Sequence, residues 1–150
     1  MAATAAGYKR PESVLVLVYT DNGQVLLLQR RSPPDFWQSV TGSLEPAETP
    51  VQAAVREVRE ETGLTDITVI DCQRRNRFPI HPAWRHRYAP AIRENLEHVF
   101  RVALAAPCPI QVAQEHTDYR WLPRDEAIQR ASSDTDRDAL RDYVPASGAV

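Results

Sequence analysis

The segment Arg56-Glu57-Val58-Arg59-Glu60-Glu61-Thr62-Gly63 holds the residues best suited to chemistry in this chain. Placed on a helix at about 100° per residue, Glu57, Glu60 and Glu61 share an arc of about 100°. Ala53 falls on the same arc and leaves space above it. Like charges at i,i+3 and i,i+4 each destabilise a helix by roughly 0.2–0.5 kcal/mol. Glu60 and Glu61 also sit in the last turn, where the helix dipole prefers cations. Arg56, four residues before Glu60, offsets part of this. A bound divalent cation reverses the sign of the balance, and an all-oxygen ligand set points to Mg²⁺ or Mn²⁺ rather than zinc. On these three glutamates alone, a solvated acidic face remains the competing reading.

The elements that must position this segment are legible on both sides of it. Thr49 is placed as an N-cap, Pro50 at the first helical position, and Gln52 completes a capping box. Gly63 marks the C-terminal stop. Val51, Ala54, Val55 and Val58 form an apolar stripe expected to pack against a sheet. Ser13 to Thr20 reads as a strand, Asp21-Asn22-Gly23 as a tight turn, and Val25 to Gln29 as the partner strand. Trp37 to Thr41 is a short strand ending at Gly42, and Ile67 to Cys72 a buried one. Arg74 to Asn95, with its prolines and polar groups, reads as a long functional loop. Glu97 to Ala105 and Tyr119 to Leu122 are further strands, the latter stopped by Pro123. Arg124 to Ala131 and a segment capped by Ser133 or Asp134 and reaching Tyr143 are helices. The expectation is one mixed α+β domain over 1–150, with about 1–7 and 146–150 as flexible ends.

Composition removes several classes. The 150 residues are 43% hydrophobic and 25% charged, which suits one core. Eighteen Lys+Arg against twenty Asp+Glu give a net charge of -2, so a basic nucleic-acid binder is not expected. Lys9 is the lone lysine; the other cations are arginines, whose planar forks suit phosphate and carboxylate oxygens. The run Val14 to Val18 is far short of the roughly 20 residues of a membrane helix. The N-terminus lacks the pattern of a secretory signal. Cys72 and Cys108 are isolated, which fits small core residues in a reduced, cytoplasmic setting. His81, His86, His98 and His116 show no metal-ligand spacing.

Read outward from Gly42, the chain runs Gly42-x5-Glu48-x7-Arg56-Glu57-Val58-x-Glu60-Glu61-x-Gly63-Leu64. This pattern resembles the signature box of the Nudix hydrolase family at every fixed position. The resemblance implies an α/β/α sandwich with a mixed sheet, in which the box forms a loop-helix-loop that binds Mg²⁺. It implies Glu57, Glu60 and Glu61 as metal ligands, with the Gly42 carbonyl joining them. Arg56 would hold the carboxylates in place, and Glu48 would support the loop.

Outside the box, similarity extends over Tyr8 to Pro11, Leu28 to Arg31, Asp35 to Ser43, Ile70 to Arg74, Arg85 to Pro90, Glu115-His116 and Tyr119 to Leu122. It is to the bacterial branch of the family that acts on dihydroneopterin triphosphate. That resemblance implies release of pyrophosphate and a pterin monophosphate in folate biosynthesis. It marks Glu115 as a further metal ligand and candidate base beside Glu60 and Glu57. Arg30 and Arg31 follow a strand and are candidates for gripping the triphosphate. Arg85, Arg87 and Tyr88 concentrate cations and an aromatic in the long loop, Tyr88 as a stacking platform for the pterin. Trp37 is the alternative platform, and Lys9 is placed near the phosphates. The expected partner is a small-molecule triphosphate, with no nucleic acid or membrane, in a monomer or small homo-oligomer. A broad nucleoside triphosphate pyrophosphatase is the second reading. A purely nucleotide-binding regulator is disfavoured, because the box glutamates are all retained.

Overall fold

The computed structural model describes residues 7–147. In chain order the elements are β1 (Glu12–Thr20), β2 (Gln24–Arg30), β3 (Trp37–Gln38), β4 (Val40–Ser43), α1 (Pro50–Thr62), β5 (Ile70–Pro79), a 3₁₀ turn (Pro82–Arg87), β6 (Glu94–Leu104), β7 (His116–Pro123), α2 (Arg124–Arg130) and α3 (Asp134–Tyr143).

Among the described residues the strands form one mixed sheet. Its order is β3-β2-β1-β6-β5, with β4 also paired to β1 and β7 to β2. β1 and β6 run parallel along their whole shared length, from Glu12↔Leu96 to Thr20↔Leu104. The other pairings are antiparallel. β1 is apolar at nearly every position because both of its faces are covered. Val14, Val16 and Val18 face α1, with Phe100 and Val102 of β6. Leu15, Leu17 and Tyr19 face the opposite way, with Ala127 of α2 and Ala139 and Leu140 of α3. The helices thus lie on both faces, giving the expected α/β/α sandwich.

α1 begins and ends where the sequence places it. Thr49 accepts from the Gln52 amide, Gln52 reaches back to the Thr49 N–H at 3.0 Å, and Gly63 is left-handed at φ 79°. Its buried side differs from the expected stripe. Val51 and Val55 are 48% and 39% exposed, whereas Ala53, Ala54, Val58 and Glu61 are buried. The helix is rotated so that the alanines meet the sheet closely. The arc bearing Glu57 and Glu61 is then drawn inward instead of lying beside the contact.

Two other expectations are corrected. The strand expected at Ile67 to Cys72 starts at Ile70, which is 41% exposed, and continues to Pro79. Arg74 to Asn95 is therefore not one loop. Its first part pairs with β6, its middle is the 3₁₀ turn, and its last residues open β6. β5 is an edge strand rich in arginine, so it lacks the apolar alternation that would reveal it. Of the ends expected to be flexible, 1–6 and 148–150 lie outside the described residues. Ser147 is anchored: its hydroxyl donates to the Gly23 carbonyl at 2.8 Å and accepts from the Arg124 N–H at 2.6 Å.

Candidate active site

The loop between β4 and α1 is tied down by two arginines. Arg56 forks onto Glu48, Nε to Oε2 and Nη2 to Oε1, both at 2.8 Å. Nη2 also donates to the Ser43 carbonyl at 3.1 Å, and Nη1 reaches Glu60 Oε1 at 3.1 Å and Glu57 Oε2 at 3.3 Å. These contacts hold the Arg56 guanidinium charged and push the Glu48 carboxyl below its ordinary range. Arg10 clamps the same loop, donating to the carbonyls of Glu45 and Glu48. Charge-assisted bonds of this kind fix a loop against a helix more firmly than neutral ones.

The acidic groups divide into two sets. Glu57 and Glu61 are drawn together and share a hydrogen bond, and the Thr41 N–H donates to Glu61. Burial, opposed by Arg56 and reinforced by Glu60, pushes Glu57 up to about 7. Burial and the Glu57 charge drive Glu61 well above the carboxylate range. Glu61 is 4% exposed, and its Oε1 has no hydrogen-bond partner among the described residues. Glu60, by contrast, is exposed and bonded to Arg56. Glu115 is exposed and close enough for its charge to act on Glu61 and Arg30. Gly42 leaves the gap that Glu57 occupies, since a Cβ there would overlap the carboxylate. Among the described residues no three acidic, His or Cys side chains are already gathered as a metal cage.

A divalent cation fits this donor set. Glu61 is buried with an orphaned oxygen, and the partly buried Glu57 crowds it. A hard cation satisfies both.

The cations stand opposite. Burial, then Arg87 and Arg30, push the Lys9 amine down, against the pull of Glu57 and Glu61. Arg30 is lowered by burial and Arg87. Three mutually repelling cations facing an acidic pair form an anion site. Lys9, Arg30, Arg87 and Tyr88 all line a cleft of about 450 Å³ that also takes in Gly42 and Thr41. Tyr88 makes a hydroxyl bond with Ser43, and burial raises its pKa.

Three residues expected at this site are placed elsewhere. Trp37 is buried against the α2 and α3 layer, with Arg120 and Arg130 over its ring, and does not border the cleft. Its strand position points it to the core. Arg31 is exposed and donates to the Gln114 carbonyl at 2.9 Å, so it fastens the segment carrying Glu115. Strand alternation sends Arg30 and Arg31 to opposite sides. Arg85 is exposed on the 3₁₀ turn, outside the cleft lining.

The aromatic wall comes instead from Trp84, which sequence reading passed over. Its ring meets Phe36 edge-on at 5.6 Å, and the Arg30 guanidinium stacks over it at 5.0 Å. In the sequence it adjoins the cationic run Arg85-His86-Arg87. Only the turn, which faces it inward, separates Trp84 from them.

A family model described as NUDIX domain matches residues 9–143, and this chain belongs to the Nudix family. Nudix hydrolases generally work with a divalent metal. Two curated relatives sharpen the comparison. The dihydroneopterin triphosphate diphosphatase of Escherichia coli is 47% identical, covering 91% of this chain and 94% of that protein. The protein of the same name from Haemophilus influenzae is 39% identical over 91% of this chain and 89% of its own. The solved structure of the E. coli dihydroneopterin triphosphate pyrophosphohydrolase superimposes with a TM-score of 0.87 at 46% identity, covering 91% and 97% of the two chains.

Proposed function

We propose that this chain is a Mg²⁺-dependent pyrophosphohydrolase that cleaves dihydroneopterin triphosphate to dihydroneopterin monophosphate and pyrophosphate, a step of folate biosynthesis. The observation that carries the reading is that Lys9, Arg30 and Arg87 line one cleft with Gly42, and that Lys9 lies within electrostatic reach of Glu57 and Glu61. The likeness to the two curated diphosphatases supports the substrate. A small-molecule triphosphate acting in the cytoplasm, on a monomer or small oligomer, fits this site. Among the described residues no helix is long and apolar enough to cross a membrane.

Glu57, Glu61 and Glu115 would hold the metal, with Glu60 and the Gly42 carbonyl completing the set. When bound, Mg²⁺ neutralises phosphate oxygens and lowers the pKa of a coordinated water. The three cations orient the triphosphate and stabilise charge on the departing pyrophosphate. Arg56 positions Glu57 and Glu60 without touching substrate. Glu115 is the candidate to take the proton from the attacking water. It lies in solvent reach, and its backbone is fixed by the Arg31 N–H at 2.8 Å.

The test is a panel of dihydroneopterin triphosphate, dATP and GTP, scored for pyrophosphate with and without Mg²⁺. The pterin should have the highest kcat/KM, and omission of Mg²⁺ should abolish release. Nucleotides ahead of the pterin would favour general nucleotide sanitation instead.

A further inference from the structure

The cleft lining holds two polar side chains that the phosphate chemistry does not use. Asn95 and Glu97 stand two residues apart on β6, so they project from the same face of the sheet. Val99 follows on that face and is fully buried in the α2 and α3 core. An apolar residue would be the ordinary occupant of such positions. Yet Asn95 is 4% and Glu97 5% exposed, and both border the cleft.

Each is hydrogen-bonded to neutral side chains, and the Asp136 carboxyl lies near Glu97. The Asn95 Nδ2 donates to Ser13 Oγ at 2.7 Å, which leaves its Oδ1 with no partner among the described residues. Glu97 Oε1 accepts from Asn76 Nδ2 at 3.2 Å, and the Thr135 side chain supplies a further hydrogen bond. No lysine, arginine or histidine pairs with Glu97 among the described residues. Burying a carboxylate without a cation is costly, and an orphaned amide oxygen beside it adds to the cost. The fold gains nothing from either group. Both are acceptors with spare capacity, since a carboxylate offers about four acceptor sites. Trp84 and Phe36 supply a flat apolar surface in the same cleft.

We propose that Glu97 and Asn95 read the heterocycle of the substrate, accepting from adjacent ring N–H and exocyclic amino donors of a 2-amino-4-oxopyrimidine edge. This rests on the pterin triphosphate reading above and assigns the part of the cleft lining that β6 contributes. A dihydropterin presents that edge as N3–H beside the 2-amino group. Guanine presents the same pair, and adenine lacks it. The ring lies at the β6 lining of the same cleft that holds Lys9, Arg30 and Arg87 for the triphosphate. Glu97 and Asn95 are thus specificity-determining residues and take no part in moving protons.

The experiment compares wild type, Glu97→Gln and Asn95→Ala on dihydroneopterin triphosphate, GTP and dATP, each with Mg²⁺. In Glu97→Gln the ratio of kcat/KM for the pterin to that for dATP should fall at least tenfold, carried by KM. Asn95→Ala should move the ratio the same way by a smaller factor. A parallel fall for GTP supports recognition of the shared edge, and a fall confined to the pterin overturns it. A second readout omits metal and phosphate: fluorescence titration with 7,8-dihydroneopterin should show weaker binding to Glu97→Gln. Equal loss on all three substrates, or an unchanged ratio in both variants, overturns the proposal. A wild type that prefers dATP overturns the pterin reading itself, so the two failures are told apart by the unmutated enzyme.

Discussion

Arg56 and Glu48 are joined twice, with the two nitrogens of one guanidinium edge each 2.8 Å from a separate oxygen of one carboxylate. The pair lies outside the cleft, yet it fixes the arginine whose other arm touches Glu57 and Glu60. Lysine keeps the charge but not the fork. Arg56→Lys should lower kcat by about tenfold or more, with a smaller effect on KM. Steady-state kinetics against Mg²⁺ concentration measure this, and an unchanged kcat would show that the fork only braces the loop.

Gly42 matters for space rather than for turn geometry. The methyl group of Gly42→Ala would occupy the position of the Glu57 carboxylate. The variant should fold, lose affinity for Mg²⁺, and drop about a hundredfold in turnover. Wild-type Mg²⁺ affinity, measured by calorimetry on the variant, would contradict this.

Glu61 exchanges stability for function. Its carboxyl is buried beside Glu57 and lacks a partner on one oxygen, so ionising it is costly. Glu61→Gln removes the cost of ionising that acid, so at alkaline pH the metal-free protein should melt a few degrees higher, about what 1 kcal/mol gives in a domain this size. Added Mg²⁺ should raise the Tm of wild type and not that of the variant. Turnover should fall by orders of magnitude. Glu60→Gln, at an exposed position, should keep the fold and also lose turnover. Near-normal activity in both variants would remove the metal-site argument.

Trp84→Ala removes the aromatic wall and the face on which Arg30 stacks. KM for the pterin should rise about tenfold, consistent with the 1–3 kcal/mol typical of base stacking on an aromatic. Trp37→Phe, in the core, should leave KM unchanged. The reverse ranking would restore Trp37 as the platform.

Asp136 gives the fold a pH signature. It is buried at the start of α3 and accepts from the Ser39 N–H and hydroxyl, both at 2.8 Å. Burial outweighs these bonds and Arg137, and pushes the carboxyl up to about 6. The folded chain therefore binds this proton more tightly than the unfolded one. The contribution favours folding in full below about pH 4 and is lost as pH rises through about 6. Urea unfolding of wild type and Asp136→Asn across that range should show wild type losing stability relative to the variant. A gain with rising pH would mean that the two Ser39 bonds dominate.

The box helix was legible because its signals are local. The cap at Thr49, the proline, the stop at Gly63 and the spaced carboxylates depend on neighbours within a few positions. What escaped depends on distant partners. Rotation of α1, which exposes Val51 and Val55, is set by how closely Ala53 and Ala54 approach β1 and β4. Trp84 and Trp37 look alike as residue types, and only the turn and strand that carry them send one to the cleft and one to the core. Asn95 and Glu97 read as ordinary polar residues of a strand until β1 and β5 are known to flank them.

The parallel pairing of β1 with β6 also has a temporal side. Residues near position 13 meet their partners near position 97 only after most of the polypeptide has left the ribosome, and such distant closures form slowly. A truncated product that already carries the whole glutamate box would still lack the second bank of the groove. Copies that stop before β6 should therefore be inert toward cellular triphosphates.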